Sequence, residues 1–224
     1  MKNRVRVLDG VRDAKSPKHL FFWMVAGYFS GAIPWSLICS KLISGMDPRN
    51  VGDKNPGATN AWKVGGWVAG MTSLILDIGK GLVPILLVFY FFDAPVSNDF
   101  IDTMYLFVLC CAPIVGHAWS PLLKFRGGKA LAVSWGVWIG LTSGTALLVG
   151  MIVLLGMHLF QKNHAITVTV CLISFGLVFA MHGPNYMKIF WAFNLIIIVF
   201  KHRQDYFSEF GVRPWLSELH QRVR

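Results

Sequence analysis

Several apolar runs approach the roughly 20 residues that cross the hydrocarbon core of a bilayer, and they constrain this chain more than any other feature. The first, "LFFWMVAGYFSGAIPWSLICSKLI", covers 20–43 and is interrupted by Pro34. Others cover 66–92, 103–123, 165–181 and 185–200. Residues 130–160 would make one helix of roughly 46 Å, too long for a core of about 30 Å. "LTSGT" at 141–145 is a natural break, which leaves two short helices. The expected fold is all-α: a polytopic membrane bundle of about seven transmembrane helices, some short or broken.

Composition agrees. Of 224 residues, 54% are hydrophobic and 14% charged, where soluble domains carry near a quarter. The net charge of +10 fits the positive-inside bias and attraction to anionic lipid headgroups, so no nucleic-acid partner is expected. Cys39, Cys110, Cys111 and Cys171 sit inside apolar runs without C-x-x-C spacing and read as small buried hydrophobes. The seven histidines show no H-E-x-x-H pattern, so no metal is expected.

The basic first 20 residues end in no small-residue cleavage pattern and read as a tail before a retained helix. The chain then divides into that tail (1–20), a membrane domain (21–205) and a cytoplasmic tail (206–224) that could form an interfacial helix. "DAPVSNDFID" has no Lys or Arg and belongs outside. Residues 44–66, 124–129 and 161–164 then fall inside. This map puts the N-terminus outside despite its six Lys/Arg, because the later loops outvote it. No internal repeat is visible, which argues against a transporter built from inverted halves.

Three polar segments fall on the inner side. In the loop "DPRNVGDKNPGATNAWK", Asn55, Gly57, Thr59 and Asn60 surround a turn; Gly lets backbone N–H groups approach an anion, and Thr and Asn add neutral hydrogen bonds. An ordinary polar turn would look the same. In "LDIGKG", Asp77 and Lys80 are three apart on one helix face. Charges at membrane depth cost about 2.5–3.5 kcal/mol each and need a partner or polar cavity. They either pair with each other, or Asp77 orients Lys80 toward a bound anion. In "GHAWSPLLKFRGGK", Pro121 interrupts a helix and Gly127-Gly128 opens the next, with Lys129 in its first turn as an anion site. Lys124 and Arg126 read equally well as inside-loop charges. His117 is either a satisfied core residue or a base or donor. Together these segments point to an anionic, phosphorylated ligand at a cytoplasmic membrane surface.

The motifs "GAIPWSLICSK" (31–41), "VGDKNPGATNAW" (51–62), "LDIGKG" (76–81), "GHAWSPLLKFRGGKALA" (116–132) and, more weakly, "HRQD" (202–205) resemble the bacterial integral membrane acyl-phosphate:glycerol-3-phosphate acyltransferases in order and spacing. The resemblance implies seven helices and an active site facing the cytoplasm at the bacterial inner membrane. It implies transfer of a fatty acyl group from acyl phosphate to the 1-hydroxyl of glycerol 3-phosphate, the first step of phospholipid synthesis. The products are lysophosphatidate and phosphate, with no cofactor and no acyl carrier protein. On that reading Lys41, Asn55, Gly57, Thr59, Lys80, Gly127 and Gly128 bind substrate. His117, Lys129 and Asn60 carry catalysis, and Asp77 and Arg203 support them. The H-x-x-x-x-D dyad of the other acyltransferase class is absent: no His has Asp five positions later.

The chain departs from the family at several positions. Ala32 stands where the family usually has Ser, and Asp53-Lys54 where it has Ser-Gly. "QKNHAITVT" replaces the usual Thr-Arg and Ser, and the C-terminal "GTE" is absent. Two alternatives stay open: a divergent homologue that uses another phosphorylated acceptor or only binds it, and a transporter of small organophosphates.

Overall fold

A computed structural model describes residues 17–92 and 99–207. The acidic loop and both tails lie largely outside those residues. Among the described residues there are eight α-helices and no strand: α1 (Pro17–Ala32), α2 (Trp35–Ser44), α3 (Ala58–Phe92), α4 (Phe100–Ala118), α5 (Leu131–Leu141), α6 (Thr145–Phe160), α7 (His164–Phe175) and α8 (Asn185–Lys201). A π-helical stretch, Gly176–Ala180, prolongs α7. α1 and α2 are one span broken at Ile33–Pro34, so the spans number seven, as expected from the sequence. Three stretches are long and apolar enough to cross a membrane: Phe21–Ser44, Ala58–Phe89 and Phe100–Leu123. The other apolar helices are shorter.

The expected break at 141–145 is real. α5 stops at Leu141, and Ser143 and Gly144 both take left-handed backbone before α6 begins. One boundary differs. The segment expected as loop to residue 66 becomes helical at Ala58, and the backbone kinks at Gly66 (φ 68°, ψ −166°). Polar residues there suggested loop, but Gly57 starts the helix: its carbonyl accepts from the N–H groups of Asn60 and Ala61.

Small residues bring the helices together, as expected where lipid supplies no hydrophobic drive between them. Gly31 of α1 lies against the Pro113 backbone of α4, and Gly136 of α5 against the Ile78 carbonyl of α3. α1 packs on α4, α3 on α5, and α2 on α3. An aromatic cluster of Trp138, Phe175, Phe179 and Phe190 fills the other half of the bundle. Trp138 donates from Nε1 to Asn194 Oδ1 (3.1 Å), and Asn194 donates to Ser134 Oγ (2.7 Å), so these polar groups are satisfied inside the core. On α6, Leu148, Ile152 and Leu155 recur at helical spacing and are exposed, the pattern of a lipid-facing stripe. All four cysteines are buried.

Candidate active site

The break in the first span organises the site. Pro34 cannot donate a backbone hydrogen bond, so carbonyls before it lose helical partners. Lys80 Nζ donates to Ile33 O (2.8 Å), and Ser120 Oγ donates to Ala32 O (2.6 Å). Ser36, just past the break, donates to Pro56 O in the polar loop (2.5 Å). Three distant motifs thus meet at one interrupted helix. Ala32 itself is buried at the α1–α4 contact, next to Gly116.

Lys80 and Asp77 pair with each other at 2.8 Å, both side chains 2% exposed. Of the two roles open in the sequence, mutual pairing is the one observed. Asp77 neutralises the ammonium, and Lys80 anchors the break.

His117 ends α4. Its carbonyl accepts the Gly128 N–H (3.1 Å), and a Cβ on Gly128 would overlap its imidazole. A Cβ on Gly127 would overlap the backbone of His117 and Ala118. The Gly-Gly pair is therefore required for packing against the end of α4. Lys201, at the end of α8, ties the two sides by donating to Ala118 O (2.8 Å) and Gly127 O (3.2 Å), with its ammonium over the Trp119 ring.

Lys129 is not in the first turn of a helix. Ala130, with φ 64°, is the N-cap, and α5 starts at Leu131. The Lys129 side chain meets two carboxylates instead of standing free at the helix start. Lys129 Nζ contacts Asp53 Oδ2 (2.5 Å) and both oxygens of Asp205 (2.8 and 2.6 Å). Burial pushes the Asp53 carboxyl up, but the Lys129 hydrogen bond and charge outweigh it and hold Asp53 below the ordinary carboxylate range. Burial likewise lowers Lys129, while Asp205 and Asp53 together raise it above the usual amine range.

Asp53 also gathers the "NPGATN" turn. Its Oδ1 accepts from the Asn55 N–H (3.2 Å) and from Asn60 Nδ2 (2.8 Å). Asn60 is buried, and Nδ2 also reaches Asn55 O (3.0 Å). Asn55, Gly57, Asn60, Gly127, Gly128, Lys129 and His117 therefore meet in one place, with Lys80 behind them at the break.

Three expected residues are exposed. Lys41 is exposed in the last turn of α2, and Thr59 is exposed in the first turn of α3. Arg203 is exposed, donates to Phe200 O (2.9 Å) and stacks on the Phe200 ring. Asp205, two residues on, reaches the site instead, after a turn closed by its N–H on the His202 carbonyl (2.8 Å). Asn163, which caps α7, donates to Asp205 O (3.0 Å). Segments 44–66, 124–129 and 161–164 thus share one end of the bundle with the end of α8. Sequence reasoning missed Asp205, Lys201 and Asn163; "HRQD" was a signal for the first.

A family model described as glycerol-3-phosphate acyltransferase matches residues 21–208. The chain belongs to that family. A Thermotoga maritima protein named glycerol-3-phosphate acyltransferase 1 is 39% identical over 123 residues, 54% of this chain and 57% of that protein. A glycerol-3-phosphate acyltransferase of Anaeromyxobacter dehalogenans is 32% identical over 185 residues, covering 81% of this chain and 89% of that one. A Desulfovibrio desulfuricans relative of the same name is 36% identical, with the match spanning 50% of its length. The chain thus spans about half the length of the first and third of these relatives.

The fold matches solved structures of the integral membrane glycerol 3-phosphate acyltransferase PlsY. The glycerol 3-phosphate form has a TM-score of 0.72 and 26% identity, covering 84% of this chain and 90% of that one. The lysophosphatidic acid form has a TM-score of 0.71 and 23% identity, covering 84% and 89%, and speaks to the fold alone.

Proposed function

We propose that this family member transfers a fatty acyl group from acyl phosphate to the 1-hydroxyl of glycerol 3-phosphate, at the cytoplasmic face of the cell membrane. The observation that carries this reading is the meeting of Lys129, Asn60, Asn55, His117 and the Gly127-Gly128 pair at one end of a membrane bundle. A fatty chain partitions into the bilayer and a phosphate does not, so a donor-rich edge at the membrane boundary suits both substrates. The names of the relatives, and the glycerol 3-phosphate form of the solved structure, support the acceptor.

The acceptor hydroxyl oxygen attacks the acyl carbonyl carbon, and the carbon–oxygen bond to phosphate breaks. Inorganic phosphate leaves with the bonding pair. His117, beside the Gly128 backbone, takes the hydroxyl proton. Lys129 and Asn60 hold negative charge on the phosphate groups, and preorganised donors aimed at developing charge supply most of the acceleration. Acyl phosphate is already activated, so the step needs no covalent enzyme intermediate, metal or acyl carrier protein.

The test uses purified protein in lipid nanodiscs with palmitoyl phosphate and glycerol 3-phosphate, following phosphate release and lysophosphatidate formation. Turnover with acyl phosphate and none with acyl-coenzyme A is expected. Equal rates with the thioester would overturn the donor assignment. Uptake of glycerol 3-phosphate into sealed vesicles without product would favour a transporter.

A further inference from the structure

Lys129 has no hydrogen-bond donor to spare. An ammonium offers three N–H groups, and three carboxylate oxygens lie at 2.5, 2.6 and 2.8 Å, one from Asp53 and two from Asp205. Two carboxylates and one ammonium leave the trio with a net charge of one negative. A phosphate approaching Lys129 meets donors that are already filled by carboxylate.

The two carboxylates are not held alike. Asp205 grips Lys129 through both oxygens, its backbone carbonyl is bound by Asn163 Nδ2, and its side chain is 22% exposed. Asp53 gives Lys129 one oxygen, and its side chain is 43% exposed. It sits in the turn that ends at Lys54, whose φ is 59°. Asp53 is the one that can leave. Its carboxylate also lies where donors from two segments converge: the Asn55 N–H, Asn60 Nδ2 and Lys129 Nζ. That is a donor set suited to an oxyanion, and a carboxylate occupies it.

We propose that Asp53 is an internal substitute for the substrate phosphate, which must displace it to bind Lys129 and Asn60. This rests on the reading of Lys129 as a phosphate-binding residue. Asp53 then sets the affinity for the phosphorylated acceptor: it keeps the donors arranged while the site is empty and weakens binding by competing for them. Asp205 stays in place and keeps Lys129 oriented.

The experiment measures glycerol 3-phosphate binding by calorimetry, and KM and kcat with palmitoyl phosphate, on full-length protein in nanodiscs. Asp53→Asn keeps an oxygen for the Asn55 and Asn60 donors and removes the charge. Asp53→Ser removes the carboxylate altogether and guards against a local effect of the amide. Both variants should bind glycerol 3-phosphate about tenfold more tightly, the size of one charge-assisted hydrogen bond, with the change appearing in KM more than in kcat. The gain should vanish in a Lys129→Met background.

Unchanged or weaker binding by both folded variants overturns the proposal. An equal gain with Lys129→Met also overturns it, because Asp53 would then act only through general charge. Tighter binding without any acyl transfer leaves the competition standing and removes the acyltransferase reading. Transfer with unaltered binding does the reverse. No binding of glycerol 3-phosphate by any variant overturns both.

Discussion

Lys80 Nζ lies 2.8 Å from Asp77 Oδ1 and 2.8 Å from the carbonyl oxygen of Ile33, where the first span is broken. One ammonium thus neutralises a buried acid and caps a helix end. Removing one partner of a buried pair costs about 3–5 kcal/mol, because the other charge is left unpaired. Lys80→Met should therefore lower the unfolding temperature in detergent sharply, and Asp77→Asn less so. The double variant Asp77→Leu with Lys80→Met should recover part of the loss. A Lys80→Met protein as stable as the parent would show that the pair does not hold the break.

The Gly128 contact makes a second prediction. The nearest atoms a Cβ at residue 128 would meet are all in the His117 ring, whereas one at residue 127 meets backbone. Gly128→Ala should lower folded stability by about 1–3 kcal/mol, the range for overpacking. Adding His117→Ala should restore it, since the ring is then gone. Gly127→Ala should not be rescued by the same change. Thermal unfolding of the four proteins reads this directly, and rescue at residue 127 would show that the His117 ring, not backbone, limits that position.

The span breaks at Pro34 and 141–145 were legible because proline and glycine act locally, on their own backbone. The grouping of the loops on one side was legible from charge. The pairing of Lys129 was not, because Asp53 and Asp205 each lie 76 residues away in sequence. A Lys after two glycines has the pattern of a free anion site, and its partners come from segments far away in the chain. The resemblance points to Arg203 in "HRQD", whereas the structure brings Asp205 to Lys129. Which residue of "HRQD" faces the bundle depends on how the chain turns after α8, and no periodicity in the motif encodes that turn. Gly128 was read as ligand contact, while its nearest demand is the His117 ring.

Lys54 holds a left-handed backbone with φ 59°, at the position where the family resemblance has glycine. An L-residue in that conformation costs about 1–2 kcal/mol, and glycine costs about 0.5–1 kcal/mol in chain entropy instead. Lys54→Gly should leave the protein equally stable or gain up to about 1 kcal/mol. Lys54→Val should lose more than 1 kcal/mol, because β-branched side chains fit positive φ worst. Denaturant or thermal unfolding of the two variants checks the order, and a more stable Val variant would contradict the turn geometry.

The Asp53–Lys129 contact should give stability a defined pH window. Asp53 sits below its ordinary value of 3.8, so its contribution is complete above 3.8 and is lost as pH falls through the lowered value. Lys129 sits above 10.5, so its contribution is complete below 10.5 and is lost as pH rises through the raised value. The unfolding-temperature difference between the parent and Asp53→Asn should thus be flat from about pH 5 to pH 10 and shrink toward zero in stronger acid. The difference should be small, since Asp53 is partly exposed and solvent screens the pair. The same substitution is expected to tighten glycerol 3-phosphate binding. Lower stability with higher affinity is the pattern of a residue that holds an empty site together by filling it. A difference that grows in acid would mean that Asp53 is strained against Lys129, and both the window and the competition would then fail together.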